Sequence, residues 1–243
     1  MPEKLSRRDV FATTRWTVVV TAANADAVTH ARKALAELCE IYWYPLYAYV
    51  RRRGYAPADA EDLTQAFFIR LLGAHMLAAA HRERGRFRSF LLASLHHFLA
   101  DEWDKAGAQK RGARQIVSLD AGSAETRYLR EPADHATPES LFERQWALRL
   151  LEEVMTLLKA EYAAAGQAAL FEQLRFGLTG DRSTLPYAEH AARLGMTEGA
   201  VKVAVHRLRQ RYRARLREEI AHTVASPEEV EEELRFLFRA LAR

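Results

Sequence analysis

The chain has 243 residues, 49% of them hydrophobic and 28% charged, enough for one large domain or two small ones with buried cores, and wholesale disorder is excluded. A single cysteine, Cys39, excludes an intramolecular disulfide and a cysteine-based zinc site, and no run approaches the ~18 apolar residues of a membrane-spanning helix. The net charge is only +4, but between Ala200 and Arg217 there is no acidic residue, while Lys202, Arg207, Arg209, Arg211, Arg213, Arg215 and Arg217 are basic. Such local asymmetry suits a polyanion partner. The N-terminal stretch, with Glu3 and Asp9, has no apolar signal core, so the expectation is a soluble cytoplasmic protein with no membrane partner.

In chain order, nearly everything reads as helix. The β-branched run Trp16–Thr21 fits either a short strand or the apolar start of a helix. A helix from about Asp26 to Arg53 carries Leu35, Leu38, Tyr42, Leu46 and Tyr49 on one face, with Pro45 inside it as an expected kink and Gly54 as its stop. The next starts near Pro57, a favoured first-turn proline, with Asp59, Glu61 and Asp62 complementing the helix dipole, and runs to Gly73. A short helix over His75–Arg82, a basic loop over Arg82–Arg88 and a helix from about Phe87 to Lys105 follow.

From Gly107 to Thr137 the glycines, Pro132 and mixed charges lack periodicity and read as a linker. Roughly 25 residues reach ~80 Å when extended, enough to let two domains occupy separated sites. Helix resumes at Thr137-Pro138-Glu139, with Trp146, Leu150, Leu151, Val154, Leu157 and Leu158 as its stripe. Another covers about Gln167–Phe176, ended by Gly177 or Gly180. Ser226-Pro227-Glu228-Glu229 caps a last amphipathic helix bearing Leu234, Leu237, Phe238 and Leu241.

Between these lies the most informative segment, a helix-turn-helix at Pro186–Arg217. Pro186 opens a short helix, and Ala191 is small where two helices must cross. Gly195 supplies a left-handed turn, Met196 plugs the core beneath it, and Thr197 caps the second helix. Val201, Ala204, Val205 and Leu208 are spaced to pack inward. That leaves Glu198, Gly199, Lys202, His206, Arg207 and Arg209 outward, early residues for base edges and later arginines for phosphates. His190 is the misfit: an apolar residue normally packs there, and the histidine must be either partly exposed or buried.

The segment Tyr187-Ala-Glu-His-Ala-Ala-Arg-Leu-Gly-Met-Thr-Glu-Gly-Ala-Val-Lys resembles region 4 of the extracytoplasmic-function (ECF) sigma factors of the sigma-70 family. Asp59-Ala-Glu-Asp-Leu-Thr-Gln-Ala-Phe-Phe-Ile-Arg-Leu-Leu resembles region 2.2, and Phe87-Arg-Ser-Phe-Leu-Leu through Asp101 resembles regions 2.3 and 2.4. The opening Phe11-Ala-Thr-Thr-Arg-Trp-Thr is similar to an ECF-like group with long linkers.

The resemblance implies an all-α protein of two small helical domains joined by a flexible linker. Its parts are an N-terminal segment (1–25), region 2 (26–112), the linker (113–137), region 4 (138–222) and a tail helix (223–243). It implies a non-enzymatic sigma factor without cofactors that binds core RNA polymerase and directs promoter-specific initiation. In region 2.2, Asp59, Asp62, Gln65, Phe68 and Arg70 would dock on polymerase. In regions 2.3 and 2.4, Arg84, Arg86, Arg88, Phe90, His97, Asp101 and Lys105 would meet the −10 element and its melted strand. In region 4, Thr197, Glu198, Gly199, Lys202, His206, Arg207 and Arg209 would meet the double-stranded −35 element.

Phe87, Phe90 and Trp103 suit base stacking but are read first as core. The chain departs from the family pattern at His97, where asparagine is common, and keeps an acidic residue at Asp101. The tail helix suits packing on region 4 or binding a regulator such as an anti-sigma factor. The rival readings are a helix-turn-helix regulator that never meets polymerase, a helical interaction module, and a metal hydrolase. The last would rest on His81, His96, His97 and Asp101, of which only His97 and Asp101 share a helix face, short of the three or four ligands zinc needs.

Overall fold

A computed structural model describes residues 25–71, 86–108, 121–131, 137–179, 186–224 and 226–242, and among these every regular element is a helix. The readings for Trp16–Thr21, the helix at His75–Arg82 and Arg84 lie outside the described residues. The chain divides into two compact units, Met1–Arg149 with Ile220–Arg243, and Leu150–Glu219. These limits differ from the sequence reading, which drew its boundaries at the linker and before the tail.

In the first unit, α1 (Ala25–Arg52) runs on through Pro45 and buries Tyr42, Leu46, Tyr49 and Val50. Its turns meet α2 (Pro57–Leu71), which buries Phe67 and Leu71, and α3 (Phe87–Ala108), which buries Phe87, Phe90, Leu91, Leu95 and Phe98. Aromatic edges lock the three together: Tyr42 meets Phe87 edge-on at 5.0 Å between ring centres, and Phe67 meets Phe98 at 5.7 Å. Such pairs add about 0.5–1.5 kcal/mol each beyond their burial. Phe87 and Phe90 are thus core, as the sequence predicts. Trp103 is not: it stands 72% exposed.

The expected linker contains a helix, α4 (Ala121–Tyr128). Eight residues without a clear apolar period give no local signal, and what holds α4 is long-range. Glu125 accepts hydrogen bonds from Arg51 Nε and Nη2, both at 2.8 Å, and from the Tyr47 hydroxyl at 2.6 Å. Arg51 holds the Glu125 carboxyl below its ordinary range against the opposing effect of burial. Arg127 lies 4.1 Å over the Tyr44 ring and donates to Gln145.

Helix α5 (Pro138–Ala164) opens as expected, with Thr137 Oγ1 accepting the Ser140 backbone N–H at 3.1 Å. Its residues to Arg149, including buried Phe142 and Trp146, belong to the first unit, and those from Leu150 to the second. In the second unit Leu158 joins a core of Phe171, Leu174, Ala191, Val201, Val205 and Leu208. Those residues come from α6 (Ala168–Leu174), α8 (Tyr187–Leu194) and α9 (Glu198–Ala221). Gly177 does not stop α6, which ends at Leu174. It sits buried inside the one-turn helix α7 (Phe176–Thr179), where a Cβ would lie 2.6 Å from Val205 Cγ1.

The last helix, α10 (Glu228–Leu241), belongs to the first unit. Its buried face is Val230, Glu233, Leu237 and Ala240, and Phe238, expected on the apolar face, is 57% exposed. The face is rotated because Glu233 counts as an inward residue. Its carboxylate receives Arg88 Nε at 2.5 Å and Nη2 at 3.2 Å, with both side chains buried. Phe236 lies against Trp146, 6.1 Å between ring centres, and beneath the Arg88 guanidinium at 3.6 Å.

Candidate nucleic-acid interface

The helix-turn-helix is built by α8 and α9. Gly195 ends α8 at φ +62°, with its N–H on the Ala191 and Ala192 carbonyls, a conformation that a Cβ disfavours. Met196 N–H turns back to the Ala191 carbonyl at 2.9 Å, and Thr197 Oγ1 accepts the Ala200 N–H at 3.2 Å as the cap of α9. Ala191 is buried at the crossing, and Val201, Val205 and Leu208 face inward. His190 proves to be buried, stacked on Phe176 with ring centres 4.2 Å apart and Nδ1 3.4 Å from Gln173 Oε1. The planar ring fills an aromatic slot that the sequence pattern reserves for an aliphatic side chain.

This architecture leaves Thr197, Glu198, Gly199, Lys202, His206, Arg207 and Arg209 exposed. Lys202 pairs with Glu198 at 2.7 Å, one turn earlier, and lies 5.7 Å from the Tyr187 ring. Arg209 Nε donates to the Gly177 carbonyl at 2.7 Å, so its stem is fixed by the fold. His206, Arg207 and Arg213 form no ion pair with any described residue. Farther along, the basic run is partly neutralised. Glu161 accepts Arg211 at 2.6 and 3.0 Å and Arg215 at 3.0 Å, and Arg215 also meets Glu218 at 2.8 Å. Unpaired positive charge therefore sits on the middle turns of α9, at Arg213 and at Arg207, one turn beyond Val203, which is 50% exposed. Sequence reading passed over Val203 because an isolated valine in a helix looks like core. Only the helix phase set by Val201 and Val205 turns it outward.

The first unit presents a second set. On α3, His97, Asp101 and Lys105 are exposed, whereas Phe90 is core and Arg88 is buried against Glu233. Arg86 is held by Glu232 at 2.5 Å and Glu233 at 3.2 Å. Lys105 pairs with Glu102 at 2.7 Å. His96, one residue before His97, is engaged by the Tyr49 hydroxyl at 2.5 Å. Trp103 borders a cleft of about 350 Å³ lined by Arg53, Tyr55, His96, Leu99, Ala100 and Asp104. It offers an open indole face, a cation and hydrogen-bonding groups in one place. Among the described residues no group of three or more His, Cys, Asp or Glu side chains is placed to hold a metal ion.

Helix α2 carries the remaining set. Asp59 and Arg70 are exposed, and Asp62, Gln65 and Phe68 are half-buried. Gln65 Nε2 donates to Glu61 at 3.3 Å, and Phe68 packs on Phe67 with 5.8 Å between ring centres. Arg70 bridges to Asp101 of α3 at 2.7 Å, tying an expected docking residue to an expected promoter residue. Ile69 is 74% exposed and follows Asp62 and Gln65 at helical spacing on one face. Flanked by Phe68 and Arg70, it carried no distinguishing signal in the sequence.

Comparison with known proteins points to one family. Residues 42–109 match the family described as Sigma-70 region 2. The chain is 30% identical over 195 residues to the ECF RNA polymerase sigma factor SigD of Mycobacterium tuberculosis, covering 78% of this chain and 80% of the relative. It is 27% identical over 169 residues to the ECF RNA polymerase sigma factor SigF of Caulobacter vibrioides, covering 70% and 77%. No solved structure matches. No described helix is long and apolar enough to cross a membrane. With an all-helical fold, a region 2 match and a relative aligned across most of both chains, this protein belongs to the extracytoplasmic-function sigma factors of the sigma-70 family and serves transcription initiation.

Proposed function

We propose that the chain binds core RNA polymerase through the outer face of α2 and directs it to promoters read by α9 and by the exposed surface of α3. The observation that carries this reading is the α9 face. Glu198, Lys202, Val203, His206 and Arg207 stand outward on a capped helix whose opposite side is core. Such a helix fits a major groove: Lys202 reaches base edges, Val203 contacts a thymine methyl, and Arg207 takes a phosphate. In the first unit Trp103, Lys105 and His97 supply the stacking and charge that an unpaired strand requires. On α2, Ile69 is the apolar anchor ringed by Asp62, Gln65 and Arg70, a pattern suited to a charged helical partner.

The test is transcription in vitro by core polymerase over a promoter library, with and without the protein. The expected result is initiation at a defined promoter class, weakened by Arg207→Ala through loss of upstream-element affinity. Ile69→Asp should abolish co-elution with core polymerase while leaving the fold intact. If the wild-type protein neither co-elutes nor supports initiation, it is a helix-turn-helix regulator of another kind.

A further inference from the structure

The start of α3 is a site of concentrated positive charge. Arg86 and Arg88 lie at its first turn, at the positive end of the helix dipole, and that turn contains no acidic residue. The anions come from the far end of the chain. Glu232 meets Arg86 at 2.5 Å, and Glu233 meets both Arg86 and Arg88. The Phe87 backbone N–H donates to the Thr223 carbonyl at 2.9 Å, fixing the segment that leads into α10.

The two arginines are held differently. Arg88 and Glu233 are 8% and 1% exposed, and Phe236 stacks on the guanidinium, so this pair is an anchor inside the unit. Arg86 is 24% exposed and its partner Glu232 is 60% exposed, so this pair opens to solvent and can exchange.

We infer that α10 covers the nucleic-acid surface at the start of α3, with the Glu232 carboxylate taking the place on Arg86 that a nucleic-acid phosphate would otherwise occupy. Glu232 takes Arg86 Nη2 and Glu233 takes Nε, each through one carboxylate oxygen, and a phosphate oxygen makes the same charge-assisted contact as Glu232. The Glu232 carboxylate is therefore an intramolecular competitor of the strand, with Arg88–Glu233 as the fixed anchor and Arg86–Glu232 as the exchangeable contact. The inference rests on the reading of Arg86 as a strand contact.

Deleting α10 would also strip Val230 and Leu237 from the unit's core, so point variants of the full chain are the better probe. Wild type, Glu232→Gln, Arg86→Ala and the double variant would be titrated with a fluorescent single-stranded oligonucleotide at several salt concentrations. Glu232→Gln should bind at least threefold tighter, with a salt slope steeper by about 0.7, the value of one added phosphate contact on a single strand. In the Arg86→Ala background the same substitution should gain nothing. Equal affinity and slope for wild type and Glu232→Gln would overturn the inference, as would a gain that survives Arg86→Ala, which would be a general charge effect. Failure of the underlying reading looks different: none of the four proteins would bind the strand, and both conclusions would fall together.

Discussion

Gly177 and Val205 show how finely the recognition helix is seated. Val205 is buried, β-branched and stiff at χ1, and it presses on the one position in α7 that has no side chain. Alanine at 177 would place its Cβ 2.6 Å from Val205 Cγ1, and the Gly177 carbonyl also holds Arg209. Overpacking of this kind costs about 1–3 kcal/mol, more than the fraction of a kcal/mol alanine gains by propensity in a single turn. Gly177→Ala should therefore lower the melting temperature of the second unit, and Val205→Ala should cost less in that variant than it does in the wild type. If the double variant melts lower by the plain sum of both single losses, the contact is not what limits stability. The sequence showed Gly177 only as a helix stop. Its packing role depends on a residue 28 positions later and leaves no local trace.

At the scale of elements, Glu161 ties α5 to α9. Hydrogen bonds from Arg211, with Arg215 adding to them, hold its carboxyl below the ordinary range, while burial opposes them. A lowered folded-state value means the stabilisation is complete above the unfolded carboxylate pKa, about 4.3, and is lost as pH falls through the folded value. The side chain is a third exposed, so screening limits the effect to about 1 kcal/mol or less. Glu161→Gln should therefore lower the melting temperature by a few degrees at pH 7. The gap should close as pH drops below the carboxylate range, and a gap independent of pH would assign the loss to packing instead.

Elements with a strong local code were legible. Spacing alone marks Thr137 and Thr197 as caps, Gly195 as the left-handed turn, and Val201, Val205 and Leu208 as the inner face of α9. Helix α4 and the phase of α10 were not legible, because Glu125 and Glu233 are held by arginines 74 and 145 positions away. A charged residue on an inward face looks outward until its partner is known.

For the whole molecule, the first unit is discontinuous, closing the N-terminal helices with the last stretch of chain. The sequence leaves the tail helix either packing on region 4 or binding a regulator. The burial of Val230, Leu237 and Ala240 against the N-terminal unit makes it a structural part of that unit. Burying Val230 and Leu237 is worth about 1.5–3 kcal/mol each, and Arg88 gains a buried partner it would otherwise lack. A chain ending after Ala225 should therefore lose several kcal/mol from the first unit's unfolding transition. The transition of the second unit should stay in place, since none of its core residues comes from α10. Calorimetry of the full and shortened chains separates the two. An unshifted first transition would mean that α10 rests on the unit without holding it together. A shift in the second transition alone would return the tail to the helix-turn-helix.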